Sequence, residues 1–313
     1  MSIFAVDFGG TRIKVGIVHD GEVLAHDAIA HKHGASLAES MPRVKELCQA
    51  MLAAMVGDPQ PEAMVCALPC IVSPDRSRVT RTFGKYDDAP DFDLDAWTQA
   101  EMGIPCLLEN DARAAAIGEW KCGAGRGVEN LAMITLGTGI GTAVICEGRP
   151  LFGTHGVAGN LCGHNTVSMD GRECICGLRG CVEAHAATWA LPGIARESEL
   201  FADSSLSSAE VIDYRTVFAE AAQNDQLACE LRDNAIDCWS TLVMNLIYQY
   251  DPECVVLGGG IMAGKDVILP AIRSRLDKRM PELHRDTKIL AAELGDAAAL
   301  AGGWSVWKSR TAL

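Results

Sequence analysis

The sequence predicts an α/β protein of two lobes, the second built on the plan of the first, with a ligand cleft between the copies. Three observations carry that prediction. A chain of 313 residues exceeds the size at which one compact core is usual. Apolar residues alternate between short continuous runs and longer stretches at helical spacing. A strand, a glycine turn, a second strand and a two-residue hairpin occur in that order twice, roughly 130 residues apart.

Taken in order, residues 3–6 read as a strand, Gly9-Gly10 as a turn, 13–18 as a second strand, Asp20-Gly21 as a hairpin loop and 22–28 as a third strand. Helical spacing covers 37–55, and 63–68 and 106–108 are short buried strands. A helix follows over 111–121. The opening device then returns, with a strand at 131–136, the turn Gly137-Thr138-Gly139-Ile140-Gly141, a strand at 142–146 and the hairpin Glu147-Gly148. Residues 153–181 are rich in Gly, His and Cys and hold no sustained period, so function or a metal must order them. Residues 227–250 are helical, 254–257 form a buried strand, and a last helix over 297–307 returns to the first lobe. Such alternation implies mostly parallel pairing in each lobe. The expected division assigns 1–117 to a small N-terminal lobe, joined by the C-terminal helix at about 297–313, and 118–296 to a large lobe that holds the Cys-rich loop. Gly123, Gly125 and Gly127 form the expected hinge.

Composition narrows the function. Hydrophobic residues make up 49% of the chain and charged ones 22%, enough for real cores and against wholesale disorder. No run approaches about 18 consecutive apolar residues, and the start lacks the basic flank and cleavage site of a secretory signal, so a cytoplasmic protein is expected. The thirteen cysteines stand mostly alone in apolar runs and read as reduced core thiols. Only Cys174, Cys176 and Cys181 cluster. A net charge of −14 argues against nucleic-acid and anionic-membrane partners and leaves a small ligand.

The turn Asp7-Phe8-Gly9-Gly10-Thr11 sets a carboxylate at a strand end beside backbone amides, a setting for phosphate oxygens and a hydrated Mg²⁺. One such turn reads equally well as a hairpin whose Asp caps its own backbone. A second, Leu136-Gly137-Thr138-Gly139-Ile140-Gly141, and a third, Val255-Val256-Leu257-Gly258-Gly259-Gly260-Ile261, are harder to explain that way, because glycines let backbone approach a phosphate or a base closely. Asp7, Gly9, Gly10, Thr11, Lys14, Gly137, Thr138, Gly139, Gly259 and Gly260 are therefore the nucleotide candidates. Glu109-Asn110-Asp111 ends a strand and opens a helix. Asn110 or Asp111 alone would read as a helix cap, but an Asp held there is also placed to accept a proton from an incoming hydroxyl. His164, Cys174, Cys176 and Cys181 match a closed tetrahedral zinc site, which would staple the loop and activate no water. Glu183, two residues beyond Cys181, is either pinned by that staple or a solvated surface residue.

These residues resemble the ROK family of bacterial sugar kinases and sugar-sensing repressors, within the two-lobed ribonuclease-H-like fold of actin, hexokinase and the heat-shock ATPases. The likeness runs from Ile3 to about Gly303. Its most specific parts are Cys174-x-Cys176-Gly177-x-x-Gly180-Cys181-x-Glu183, Gly163-His164, Glu109-Asn110-Asp111 and the glycine turn at 137–141. The resemblance implies in-line transfer of the γ-phosphoryl group of ATP to a sugar 6-hydroxyl, glucose being the default, with Asp111 as base and Mg²⁺ neutralising phosphate charge. It implies that Asn110, Asp111, His164 and Glu183 contact the sugar and that His164 also binds zinc. Gly9, Gly10 and Thr11 match the first phosphate loop, Thr138 and its glycines the second, and Gly259-Gly260 the adenosine side. Related kinases are often homodimers.

Three departures bear on substrate. The family usually has Ala-Gly-Glu-x-Gly-His, whereas Ala158-Gly159-Asn160-Leu161-Cys162-Gly163-His164 carries an extra residue and no Glu, so Asn160 stands where hydroxyls near carbons 1 and 2 are read. Pro69-Cys70 replaces the Pro-Gly of many members. Gly84-Lys85-Tyr86 occupies a loop that usually begins with Asn, and Lys85 there would meet a hydroxyl or an anionic substituent, unless it is a plain surface lysine. Family repressors carry a helix-turn-helix ahead of the first strand, and this chain starts at that strand with Asp7 and Asp111 both present, so an enzyme is expected over a sugar-binding regulator. Polyphosphate in place of ATP is the alternative donor.

Overall fold

The computed structural model describes residues 1–31, 34–55, 59–280, 282 and 286–310. Both expected hairpins form, for a reason visible in their loop residues. A two-residue loop that matches strand twist favours positive φ at both central positions. Asp20 and Gly21 stand at φ 47° and 90°, and Glu147 and Gly148 at 50° and 68°. Strands β1 (Ser2–Phe8), β2 (Arg12–His19) and β3 (Glu22–Ala30) pair antiparallel through the first glycine turn and hairpin. Helix α1 (Leu37–Ala54) starts on a reciprocal capping box between Ser36 and Glu39. It leads to β4 (Pro61–Leu68), a ribbon of β5 (Ile71–Val72) and β6 (Val79–Arg81), helix α2 (Leu94–Met102) and β7 (Cys106–Asn110). The first sheet runs β3-β2-β1-β4-β7, with β4 and β7 joining in parallel.

After α3 (Asp111–Cys122) the plan repeats. Strands β8 (Leu131–Leu136), β9 (Ile140–Cys146) and β10 (Arg149–Pro150) pair antiparallel, and a long segment then leads to α4 (Val182–Ala186), α5 (Leu191–Glu197), α6 (Tyr214–Ala222) and α7 (Gln226–Tyr250). Strand β11 (Cys254–Gly258), α8 (Lys265–Arg279), β12 (Lys288–Ala291) and α9 (Ala298–Lys308) follow. The second sheet runs β10-β9-β8-β11-β12, again with two antiparallel and two parallel pairings. The duplicated α/β plan is present, with one correction. Pairing is mixed and not mostly parallel, because glycine turn and hairpin each send the chain straight back.

Helices α3 and α9 join the two sheets. They share one core with Ala5 and Val65 of the first sheet and with Met133, Ile145 and Val256 of the second. A Cβ on Gly118 would stand 2.0 Å from the Ala298 carbonyl oxygen, and one on Gly302 1.9 Å from that of Ala114. A side chain at either place would drive the helices apart. Helix α9 packs on the first sheet, against β1, β2 and β4, and on α3, which itself meets β8 and β9 of the second sheet. It is buried along almost its whole length, as a helix apolar all round must be. The division drawn at 117/118 falls inside α3, and residues 311–313 of the expected C-terminal helix lie outside the described residues. Gly123 and Gly125 pack closely against Glu119 and Leu131. Glu119 also accepts hydrogen bonds from the backbone of Ala124, Glu293 and Leu294, so the expected hinge is a tied segment. Among the described residues no helix is long and apolar enough to cross a membrane.

Candidate active site

Between the sheets lies a cavity of about 480 Å³. It brings together Gly10 of the first glycine turn, Gly137, Thr138 and Gly139 of the second and Gly259 of the third, with Lys85, Asn110, Asp111, Asn160, His164 and Glu183. Gly259 must be glycine: its φ is +90°, and a Cβ would come within 2.2 Å of the Leu136 carbonyl oxygen. Asp7, Gly9, Thr11, Lys14, Gly260 and the three clustered cysteines lie outside the lining. Asp7 pairs with Lys14 at 3.3 Å, and Lys14 reaches Asp296 at 3.0 Å.

Asp111 is the first residue of α3, set at the end of β7 by the Asn110 cap, whose Oδ1 accepts from the Arg113 N–H at 3.0 Å. Capping and cleft placement are thus both true of this pair. Burial, seconded by the charge of Asp7, pushes the Asp111 carboxyl up to about 6, against the Ala112 N–H, Lys85 and Asn110, which hold it down. A carboxylate of that strength is ionised at neutral pH and still basic enough to take a proton. Burial likewise raises Asp7, with Lys14 opposing.

Asn160 donates to Asn110 Oδ1 at 2.7 Å and to the Thr142 carbonyl at 2.8 Å, which leaves its own Oδ1 buried with no hydrogen-bond partner. Thr142 Oγ1 donates to the Gly159 carbonyl and accepts from the Cys162 N–H, so this one β9 residue grips both sides of the segment with the extra residue. Glu183, at the start of α4, accepts from the Ile140 N–H at 2.8 Å and from Trp189 Nε1 at 3.3 Å. It is buried and held, not a surface residue.

His164 Nδ1 lies 3.5 Å from Cys174 Sγ, Cys176 Sγ lies 3.6 Å from Cys181 Sγ, and all four donor atoms fall within 4.8 Å of one another. A tetrahedral centre with metal–sulfur bonds of about 2.3 Å has sulfur–sulfur edges of about 3.8 Å, so the donors lie close to the spacing that one cation would impose. Burial pushes the Cys174 and Cys181 thiols up, so a cation must displace their protons to bind.

Beneath Asp111 is a feature that the sequence reading missed. Glu109 is fully buried between Arg76 at 3.0 Å and Arg113 at 2.8 Å. Arg113 also donates to the Gly156 carbonyl at 2.7 Å and Arg76 to Ser309 Oγ at 2.9 Å, and both guanidinium groups lie over the Phe152 ring. The available signal was the spacing of Glu109 and Arg113, four positions apart across the junction of β7 and α3. Phe83, Leu161, Ile175 and Trp189 also line the cavity unforeseen. Nothing in their spacing separates them from core residues.

Two like α/β sheets that meet at a polar cleft edged by glycine turns define the two-lobed class of actin-like ATPases and hexokinases. The chain belongs to the ROK family, whose model matches residues 3–310. It is 31% identical to a glucokinase of Thermotoga maritima over 99% of this chain and 98% of that one. A ROK family glucokinase from Streptomyces griseus, solved with glucose and AMPPNP, superposes with a TM-score of 0.79 at 28% identity, covering 98% of this chain and 99% of that one. A ROK hexokinase from Thermus thermophilus gives a TM-score of 0.76 at 29% identity, covering 97% of each.

Proposed function

We propose that the protein is an ATP-dependent sugar kinase that phosphorylates the 6-hydroxyl of a hexose, glucose first among the candidates. The observation that carries this reading is Asp111: a carboxyl pushed up to about 6, at the start of a helix, in a cleft edged by three glycine turns. In the reaction the sugar oxygen attacks the γ-phosphorus, and the bond from phosphorus to the bridging oxygen breaks. That bond's electron pair leaves on ADP, and the hydroxyl proton passes to Asp111. Most of the catalysis is then positioning and charge compensation.

Gly9, Gly10 and Thr11 hold phosphate oxygens from the first lobe, Gly137, Thr138 and Gly139 from the second, and Gly259 and Gly260 carry the adenosine. Asp7, fixed by Lys14, sets the charge around the nucleotide and raises the base. Mg²⁺, which arrives with the nucleotide, neutralises phosphate charge. On the acceptor side Asn110, His164 and Glu183 bind sugar hydroxyls. Asn160 lines the same cavity and donates to Asn110 Oδ1, so it helps set the acceptor side.

The cluster of His164, Cys174, Cys176 and Cys181 is read as a zinc site. Three thiolates and an imidazole form a closed set, so the ion ties the loop that carries His164 and leads into Glu183. The same reading carries the cytoplasm as the compartment and a homodimer, checked by light scattering, as the assembly.

The test is ADP release from MgATP in the presence of glucose, mannose, allose, fructose and the N-acetylated hexosamines. At least one sugar is expected to stimulate release many-fold, and Asp111→Asn to abolish the stimulation. A flat response to every sugar would turn the reading to a sugar-binding regulator, and stimulation only with polyphosphate would change the donor.

A further inference from the structure

The loop that leads from β6 toward α2 is fixed at three points. Thr82 Oγ1 donates to Asp87 at 2.8 Å. Asp88 accepts from the first two backbone N–H groups of α1, those of Leu37 and Ala38, at 2.8 and 3.0 Å. Tyr86 is buried, with its ring edge-on to Phe8 at 5.5 Å and its hydroxyl 3.5 Å from the Gly9 carbonyl and 3.1 Å from His31 Nδ1. Tyr86 holds a φ of 52° to do this, a conformation few non-glycine residues adopt unless their surroundings impose it. The loop is thereby tied directly to the first glycine turn.

Lys85 is the residue this arrangement presents to the cleft. Its Nζ comes within 3.3 Å of where a Cβ on Gly10 would stand. Lys85 lines the cavity that holds Asp111 and is the one Lys or Arg among the described lining residues. No hydrogen bond or ion pair engages its ammonium among the described residues, whereas Lys14, the neighbouring cation, is taken by Asp7 and Asp296. An unpaired donor carried on a fixed loop and facing a site of developing negative charge has the features of an electrostatic catalyst. Glycine at position 10 keeps the space in front of it open for a phosphate oxygen.

We propose that Lys85 is a catalytic residue that hydrogen-bonds the transferring phosphoryl group, a role that rests on the sugar-kinase reading above. The lysine acts only as a hydrogen-bond donor and takes no part in the proton transfer. It offsets negative charge on the equatorial phosphoryl oxygens while the hydroxyl proton goes to Asp111 and the leaving electron pair to ADP. The position beside Gly10 favours the phosphoryl group over a sugar substituent, because the glycine turn is where the nucleotide's phosphates meet the first lobe. The groups that act on Asp111 are Asp7 from β1, Asn110 from β7, the Ala112 N–H and Lys85, so loss of the lysine also leaves Asp7 less opposed.

The experiment compares wild type, Lys85→Met and Lys85→Arg with the sugar that wild type prefers, following ADP release across pH, with sugar binding read from tryptophan fluorescence through Trp189. Lys85→Met is expected to lower kcat about 100-fold. Sugar affinity should hold within about threefold, the acid limb of the pH profile should move to higher pH, and Lys85→Arg should recover much of the lost kcat. Unchanged kcat in an active Lys85→Met enzyme overturns the role of the lysine alone. A raised sugar KM at unchanged kcat also overturns it, placing the ammonium on the sugar. Wild type that no sugar stimulates overturns the sugar-kinase reading, and the lysine's role with it.

Discussion

The proposed base and the loop proposed to read the sugar face one cleft but are held by different means. Asp111 starts α3, whose apolar residues lie in a core shared by both sheets, and stands next to a carboxylate clamped by two buried guanidinium groups. His164 and Glu183 flank a segment whose own buried cluster amounts to Cys174, Cys181 and Ala184. Folding alone sets the first, whereas the proposed cation would tie the second. Chemistry and recognition should therefore fail separately when each support is removed.

The largest effect breaks the chemistry and leaves recognition intact. Asp111→Asn is expected to lower turnover by roughly three to four orders of magnitude while sugar still changes tryptophan fluorescence at wild-type concentrations. Near wild-type turnover would take Asp111 out of the mechanism. Next is the support under the base. Glu109→Gln leaves two buried guanidinium groups without their counter-charge, which should cost about 3–5 kcal/mol of stability in urea unfolding. Its bound metal should stay at the wild-type level, and a metal-depleted Glu109→Gln protein would show that the two halves are not independent.

Cys174→Ser and Cys181→Ser reverse the pattern. Metal content should fall and sugar KM rise about tenfold or more, with kcat changed less. Metal-free protein with wild-type kinetics would remove the cation from recognition. The smallest effect concerns the energetic cost of the base. Its folded pKa of about 6 exceeds the 3.8 of the free side chain, so the folded state holds this proton more tightly and stability falls as pH rises through that window. Asp111→Asn should therefore raise the melting temperature by a few degrees at pH 7, with the gain vanishing below about pH 4. A lower melting temperature at pH 7 would mean that the ionised carboxylate stabilises the fold.

Local geometry was the legible part of this chain. Asp20-Gly21 and Glu147-Gly148 announce hairpins because few residue pairs accept positive φ, and the repeat of glycine turn and hairpin announces the duplicated plan. Asp111, Asn110, His164 and Glu183 came to one cavity as their motifs suggested, since each sits at a strand end or helix start. Contacts made through space were not legible. Arg76 reaches Glu109 across the first lobe, and no spacing rule announces a partner 33 positions away. The close crossing of α9 with α3 was not legible either, although a helix of Ala298-Ala299-Leu300-Ala301-Gly302-Gly303-Trp304 has no polar face to leave in water. Asp7 and Lys14 illustrate a third case: the motif marked them, but they act from behind the cavity, one through its charge and the other by holding it.

The pH dependence of kcat/KM bears most directly on how the cleft makes a base of Asp111. An acid limb centred near pH 6, set by burial and by Asp7, is the expected result. A profile flat from about pH 5 to pH 8, or a limb that persists unchanged in the residual activity of Asp111→Asn, would contradict it.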